Sequence, residues 1–262
     1  MALSKRVVVC QQPNYFAWLG YLEQCATADT LIFLDTVQWI RQGRQHRARI
    51  LPHPSAASQT GGAEFTWLTL PVRGQGHRDK PLREIEIAGP WASDHWKTLQ
   101  AIYARRPFFK TQLEPLVRPW LESQGEAQSK STSFSEVAIS STRLCLEALG
   151  FAPEIRLSSQ LPERGRSTER LVSLCQAVSA TAYYTGVGAT YIDSSLFRDS
   201  GIELVWQRWK QPEYDQGRAT RKTHLSVLDA LANVPLAEIR SWLEPKPWGP
   251  FGEQTRQYLQ SP

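Results

Sequence analysis

The sequence predicts an α/β fold with a mostly parallel sheet, and three consecutive segments carry that prediction. A short β-branched run at residues 6–10 is followed by helically spaced apolar residues at 18–28 and by a second apolar run at 30–35. A strand, a helix and a strand in close succession form a βαβ unit, in which the two strands are parallel. We therefore expect a Rossmann-like βαβ unit near the start of the chain.

The rest of the chain predicts a helical middle section and a second α/β part near the C-terminus. Apolar runs predict further strands at residues 65–72, 84–88, 182–185 and 202–207. Amphipathic spacing predicts helices at residues 91–104, 111–122, 134–149, 168–179 and 225–234. Ser167 or Thr168 would cap the helix that follows it. Residues 123–133 predict a polar linker, since they are mostly small and polar.

These patterns predict two packed parts and a tail. The first part, residues 1–122, holds the βαβ unit, and the second, residues 134–243, is helical and α/β. Residues 244–262 are rich in Pro and Gly and predict a surface tail.

Composition indicates a globular protein of 262 residues, with 41% hydrophobic residues and no apolar run long enough to span a bilayer. The apolar run near the start is too short for a signal peptide. The cysteines are far apart, so neither a structural zinc site nor a disulfide framework is expected; they are Cys10, Cys25, Cys145 and Cys175. We expect a cytoplasmic protein with no metal and no cofactor.

The charge balance favours an anionic ligand over a nucleic acid. The net charge is +5, and 22 of the 30 basic residues are arginine, whose planar fork fits phosphate and carboxylate. A high-GC genome would produce the same bias without any functional cause. The excess charge is modest and no nucleic-acid-binding motif occurs, so nucleic acid is not an expected partner.

The most distinctive segment follows the first predicted strand, at residues 11–21. Loops at the carboxyl ends of parallel strands are where α/β proteins bind ligands. Gln12 and Asn14 could orient a small molecule there, and Tyr15 and Trp18 could contact it. The alternative is a capped loop with an aromatic lid over the core.

The second predicted strand ends at Asp35 and leads into a basic stretch. Residues 36–49 contain four arginines and no acid, so Gln38, Arg41 and Arg47 are candidates for binding a phosphate or a phosphopantetheinyl arm. The same charges could attract an acidic carrier protein. A solvated basic surface is the alternative. Asp35 would face the same cleft as the loop after the first strand.

Two residues are candidates for covalent or acid–base chemistry. His95 shares a helix face with apolar residues, so it is either a core histidine or a general base. Cys10 ends the first strand, where it is either a nucleophile or a packing residue. A third segment, with Gly186 and Tyr191, contains G-x-G after a strand but lacks the third glycine of a dinucleotide site.

Together these segments resemble the WbqC-like family. The resemblance covers approximately residues 6–235 and rests on QPNYFAWLGY (12–21), FLDTVQWIRQGRQHRARI (33–50), FTWLTLPV (65–72), W-x-x-x-H and Y-x-x-x-P-F-F (91–109), YYTGVGATYID (183–193), QPEYDQ (211–216) and LSVLDAL (225–231). Two departures stand out. Ala17 replaces a usual proline, and residues 45–50 keep one arginine of the family's N-R-N-K-I but neither asparagine.

The family resemblance implies a set of site residues. Those that match its pattern are Gln12, Tyr15, Asp35, His95, Gly186, Tyr191, Tyr214 and Gln216. The position of Cys10 varies in relatives, which does not favour a nucleophile shared by the family.

The resemblance also implies a role in surface-polysaccharide (O-antigen) or specialised-metabolite (natural product) biosynthesis. The first hypothesis is an acyl or aminoacyl transferase that forms an amide between a carrier-protein or coenzyme A thioester and an amine or amino sugar. His95 would act as the base with electrostatic help from Asp35, and Tyr15 or Gln12 would stabilise the oxyanion. The alternatives are a transferase that binds a nucleotide or nucleotide sugar, and a non-catalytic docking protein.

Overall fold

A computed structural model describes residues 6–40, 43–53, 64–73, 79–127, 133–217 and 224–245. The predicted βαβ unit is present as strand β1 (Val7–Gln11), helix α1 (Leu19–Thr27) and strand β2 (Thr30–Phe33). The two strands are parallel, with Val8 beside Thr30. Every residue of β2 is buried, as expected for a strand that is covered on both faces. The α/β fold class is therefore confirmed.

One five-stranded parallel sheet forms the centre of the molecule. It adds β5 (Glu154–Leu157), β6 (Ala182–Thr185) and β7 (Glu203–Trp206), and the strand order is β5-β2-β1-β6-β7. The chain moves from β1 outward through β2 to β5 and then returns to the other side of β1 with β6. The order therefore reverses between β1 and β6, where the loops after the two strands separate.

Successive residues of β1 point to opposite faces of the sheet and into two different cores. Val7 and Val9 join a large core, and Val8 and Cys10 join a smaller one. The large core contains helices α1, α2 (Ala92–Tyr103), α3 (Glu114–Ala127), α4 (Phe134–Ala148), α7 (Val227–Asn233) and α8 (Leu236–Leu243). The smaller core contains α5 (Ser167–Ala177) and α6 (Ser194–Asp199). No described helix is long and apolar enough to cross a membrane.

A separate antiparallel ribbon packs on the large core. It consists of β3 (Arg47–Ile50) and β4 (Thr66–Thr69). Ala48 and Ile50 are buried in the core, whereas the arginines that alternate with them are half-buried. This alternation places both arginine side chains on the outer face of the ribbon.

Several predicted elements differ from the structure. Residues 84–88 do not form a strand, because a 3-10 turn at Leu82–Glu84 is followed only by isolated bridges at Glu86 and Ile87. The predicted linker at 123–133 is wrong in its first part, since α3 continues to Ala127. Helix α3 is preceded by a π turn at Phe109–Leu113, within the helix predicted from residue 111.

The helix predicted at residues 168–179 is present as α5, but its predicted cap is wrong. Arg166 occupies the cap position and no side chain caps the helix. Thr168 is buried, and its Oγ1 accepts a hydrogen bond at 3.0 Å from the backbone N–H of Asp193. The side chain is thus used to hold the loop before α6.

The sheet takes β1 and β2 from the first predicted part and β5, β6 and β7 from the second. The division into parts at residues 122 and 134 stays a prediction. Most of the predicted tail, from residue 246 onward, lies outside the described residues.

Candidate functional site

The loop after β1, residues 12–18, is held in place by three distant parts of the chain. The backbone N–H of Tyr15 donates to the Gln45 carbonyl at 2.8 Å. The N–H of Phe16 donates to Ser141 Oγ at 3.1 Å, and the Phe16 carbonyl accepts from Ser226 Oγ at 2.6 Å. Phe16 adopts a φ of 37°, which an L-residue rarely does. The loop therefore forms a rigid wall, and its backbone is strained at Phe16.

The β3–β4 ribbon forms the opposite wall. Arg47 pairs across the ribbon with Thr69, and Arg49 pairs with Trp67. Between the ribbon and the loop lies a pocket of about 320 Å³. We call it the arginine pocket; its lining residues are Asn14, Tyr15, Phe16, Ala17, Trp18, Arg44, Arg47, Ala48, Arg49, Trp67, His224 and Ser226. Among the described residues, the lining contains three arginines and no acidic residue.

Aromatic rings hold the two ribbon arginines in place. The Arg49 guanidinium lies 4.4 Å from the centre of the Phe65 ring and 5.2 Å from that of Trp67. The Arg47 guanidinium lies 6.0 Å from the Trp67 ring, and its Nε donates to His46 Nε2 at 3.1 Å. Cation–π contacts of this kind fix a guanidinium without neutralising it.

The arginine charges repel one another. Burial and the neighbouring Arg44 lower the pKa of Arg49, and Glu64 has the opposite effect. Among the ion pairs that the described residues form with one another, none contains Arg44, Arg47 or Arg49. Three cations in one pocket without a paired carboxylate from the described chain favour a bound anion.

His95 and Tyr15 lie together behind the pocket wall. Tyr15 is fully buried and His95 is 6% exposed. His95 Nε2 lies 3.1 Å from the Thr69 carbonyl, which can only accept, so Nε2 carries the proton and donates it. Nδ1 then accepts a hydrogen bond from the Tyr15 hydroxyl at 2.9 Å. Both ring nitrogens are therefore occupied.

The environment keeps His95 neutral and Tyr15 protonated. Burial lowers the pKa of His95 to about 4, against smaller opposing effects of the Thr69 carbonyl and Asp94. Burial also raises the pKa of Tyr15 well above its usual value. This arrangement joins helix α2 to the loop and to β4, and it engages the Tyr15 hydroxyl and both nitrogens of His95, so these polar atoms are not left for a ligand.

Asp35 and Gln38 lie away from the arginine pocket. The Asp35 carboxylate is buried and accepts hydrogen bonds from Ser158 Oγ at 2.9 Å and from Ser159 N and Oγ at 2.9 and 2.6 Å. It thereby fastens the end of β2 to the end of β5. Gln38 lines a separate open depression with Asp79 and donates to its carboxylate at 3.3 Å. The structure does not bring Asp35 together with His95.

Cys10 lies on the opposite face of the sheet from the pocket wall. Its thiol is in hydrogen-bond contact with Cys175 in the smaller core, and this contact together with burial raises its pKa well above the usual value. A thiol that stays protonated in an apolar core is a poor nucleophile. The geometry therefore favours the packing interpretation. All four cysteines are buried free thiols.

Besides Tyr15, three predicted residues belong to the loop after β1. Asn14 and Trp18 line the pocket, and Trp18 is 37% exposed. Gln12 is not in the lining; its Oε1 accepts from Gln45 Nε2 at 2.8 Å and helps to hold the loop against the residues before β3.

Four predicted residues lie elsewhere. A Cβ at Gly186 would lie 3.1 Å from Gln24 Nε2, so glycine allows the chain to pass the buried amides there. Tyr191 is 60% exposed beyond β6. Tyr214 donates to the buried Asp229 carboxylate at 2.8 Å and also contacts buried Gln216. Burial and Asp229 raise the pKa of Tyr214.

The sequence predicted an anion-binding stretch that contains Arg44, Arg47 and Arg49, but of these three it singled out only Arg47 as a site residue. Arg49 and Arg44 belong to the same basic stretch, and the alternation with Ala48 and Ile50 would have shown that Arg47 and Arg49 share a face. Nothing in the sequence brings Trp67 or His224 to them. Arg41 lies outside the described residues.

The architecture defines a parallel α/β protein with an arginine-lined pocket beside its central strand. The chain matches the WbqC-like protein family over residues 12–241 and belongs to it. It is similar to the uncharacterized protein Rv1507c of Mycobacterium tuberculosis (strain ATCC 25618 / H37Rv), with 29% identity over 233 residues, covering 88% of this chain and 94% of that protein. No solved structure matches the chain.

Metal-ligating side chains are not clustered in the part of the chain that is described. No group of three or more His, Cys, Asp or Glu residues there is placed to hold a metal ion.

Proposed function

We propose that this protein is an amide-forming acyl or aminoacyl transferase that binds an anionic substrate in the arginine pocket. The observation that carries the proposal is a set of three arginines in one pocket of about 320 Å³. None of them forms an ion pair with another described residue, although Glu64 partly offsets the repulsion at Arg49. Pockets for small molecules have volumes upward of about 300 Å³. The family's setting in surface-polysaccharide and specialised-metabolite biosynthesis supports amide formation.

The three arginines differ in burial, and this difference suggests a different role in binding for each. Arg44 is exposed, whereas Arg47 and Arg49 are half-buried and fixed by aromatic rings. Arg44 would attract the phosphate of a coenzyme A or carrier-protein thioester at the mouth of the pocket. Arg47 and Arg49 would hold an anionic group deeper inside, where exclusion of water strengthens the interaction.

The roles first expected of His95 and Tyr15 change with the geometry. His95 has no free acceptor, so it acts as a positioning residue that holds the pocket wall. Tyr15 donates to His95, so it does not stabilise the oxyanion of acyl transfer. The second amide hydrogen of Asn14 would do so instead, since the other is donated to the Gln12 carbonyl.

Anion binding tests the first half of the proposal. Titration calorimetry with pyrophosphate and with coenzyme A should detect binding to the wild-type protein. Loss of one charge-assisted contact costs about 1.5–3 kcal/mol, so Arg49→Ala should weaken the binding of pyrophosphate roughly 10- to 150-fold. Arg198→Ala is the matched control, because Arg198 is highly exposed, lies outside the described pocket lining and forms its ion pair with its neighbour Asp199. Equal affinities in all three proteins would contradict the proposal.

Mass spectrometry tests the second half. The wild-type protein is incubated with acetyl-coenzyme A or an acylated carrier protein and a panel of amines and amino sugars. An amide product is expected, and its absence with every donor would overturn the transferase. Tight binding of a nucleotide sugar without any amide would instead support the nucleotide-sugar alternative, for which the reversal of strand order beside β1 offers a crevice.

A cytoplasmic location is part of the proposal.

A further inference from the structure

We propose that the arginine pocket binds an α-amino acid as the amine acceptor, with its carboxylate on Arg47 and Arg49 and its amine beside His224, which acts as the catalytic base. This inference rests on the proposed transferase and names the acceptor. It follows from the imidazole of His224, the one that lines the pocket among the described residues, together with the pocket's size and charge.

His224 is held at the pocket by its neighbours in the chain. Ser226, two residues later, donates its backbone N–H to the Arg49 carbonyl at 2.7 Å and its hydroxyl to the Phe16 carbonyl at 2.6 Å. These bonds tie the segment to both walls. His224 itself is exposed and adopts a φ of 55°, a conformation that a residue with a side chain rarely takes. Phe16 in the facing wall is strained in the same way, and such strain tends to cluster at functional sites.

The other described histidines are not placed to act in this pocket. Both nitrogens of His95 are occupied. His46 is buried outside the lining, its Nε2 accepts from Arg47, and burial followed by the Arg47 charge lowers its pKa to about 4. His53 lines a different depression, with Lys97 and Ile102.

The dimensions of the pocket favour an amino acid over a phosphopantetheine arm. The phosphate of such an arm is separated from its thioester by the whole pantetheine chain, so a phosphate on Arg49 would leave the reacting carbon far from His224. In an α-amino acid the carboxylate and the amine share one carbon, so one small pocket can hold both. Arginine forks bind carboxylates with two parallel hydrogen bonds. The indole rings of Trp18 and Trp67 provide apolar walls for the side chain.

The reaction step is balanced without any further reagent. The lone pair of the amine nitrogen forms a C–N bond at the thioester carbonyl carbon, and His224 takes one proton from that nitrogen. The C–S bond then breaks with its electron pair on sulfur, and the imidazolium returns the proton to the thiolate. The products are an N-acyl amino acid and a free thiol.

Binding of free amino acids tests the acceptor site independently of activity. Each of the common amino acids and its carboxamide is added to the wild-type protein, and the melting temperature and the imidazole Cε1–H proton resonances are followed. At least one amino acid should raise the melting temperature and shift the His224 resonance, which is assigned as the resonance that is missing from His224→Asn. The carboxamide of that amino acid should cause neither change. Arg49→Ala should abolish both responses. Equal binding of the carboxamide, or no response to any amino acid, would overturn the inference while leaving anion binding by the pocket intact.

Turnover tests His224 as the base. Asparagine tolerates a left-handed backbone, so His224→Asn should fold and bind the amino acid within about threefold of wild type. General-base catalysis contributes typically 10²–10⁴-fold, so its rate of amide formation should fall at least about 100-fold, and added imidazole should restore part of it. His53→Gln is the control and should be unaffected. Unchanged turnover in His224→Asn would overturn the role of His224 as the base and nothing else. If the wild-type protein binds an amino acid but forms no amide, both the transferase function and the role of His224 are overturned.

Discussion

The arginine pocket and the Tyr15–His95–Thr69 network are built from the same loop and the same ribbon, yet they use polar groups in opposite ways. In the network every donor meets an acceptor, and burial keeps His95 neutral. In the pocket three guanidiniums lie together, and none of them forms an ion pair with a described carboxylate. Polar groups that are satisfied by the protein maintain the fold, and those that are left to a ligand can carry function. Four changes would break or sharpen this comparison.

The largest effect is expected from His95→Ala. The substitution leaves a cavity in an aromatic cluster and removes the partners of both the Tyr15 hydroxyl and the Thr69 carbonyl. We expect the free energy of unfolding to fall by about 3–5 kcal/mol, measured by urea denaturation. His53→Ala, at an exposed site, should change it by less than about 0.5 kcal/mol. A loss below about 1 kcal/mol at position 95 would show that the network is not structural.

Acid should destabilise the protein through the same histidine. The pKa of His95 is lowered from 6.5 to about 4 on folding, so the unfolded chain binds a proton first as the pH falls. The stabilisation is therefore complete above pH 6.5 and is lost as the pH falls toward 4, with an amplitude on the order of 3 kcal/mol. His46 contributes with the same sign.

Urea denaturation at several pH values between 7 and 4.5 measures this dependence. His95→Gln should be less stable at pH 7 and show a shallower dependence on pH. Parallel curves for the two proteins would contradict the assignment.

A smaller effect is expected from Asp35→Asn. The change removes a charge that accepts three hydrogen bonds from Ser158 and Ser159, at a cost of about 1–3 kcal/mol. Because Asp35 does not line the arginine pocket, the affinity for pyrophosphate should stay within about twofold of wild type. A tenfold loss of affinity would place Asp35 in the site after all.

The smallest effect is expected from Cys10→Ala. Loss of one buried sulfur should cost about 1 kcal/mol and leave amide formation unchanged. In the folded wild-type protein at pH 7, Cys10 should react with iodoacetamide far more slowly than an exposed thiol, because its pKa is raised. Rapid and selective alkylation of Cys10, detected by peptide mass spectrometry, would restore it as a nucleophile.

Local sequence pattern predicted the parallel βαβ unit, since hydrophobic spacing alone distinguishes a buried strand from an amphipathic helix. It missed β3, where arginines alternate with apolar residues, and it missed the edge strand β5, whose residues are no more than half-buried. Helix α8 was missed because it lies next to the Pro/Gly-rich segment.

The site was predicted less completely than the fold, and the reason lies in long-range partners. Asn14, Trp18 and Arg47 were predicted from segments with a local signal, and the structure places all three in the lining of the arginine pocket. The role of Asp35 depends on Ser158, 123 residues away, and that of His95 depends on Tyr15, 80 residues away. Whether a polar group is satisfied by the protein or left to a ligand cannot be determined from its own segment.

The bond from Ser226 to the Phe16 carbonyl joins residues 210 positions apart, and this separation has a consequence for biogenesis. On the ribosome, the first wall of the pocket emerges long before the segment that fastens it and brings His224 into place. A nascent chain that ends at β7 has all five strands of the sheet but an open, unfastened pocket. The wall formed by the loop after β1 is thus fastened only when almost all of the described chain has been made.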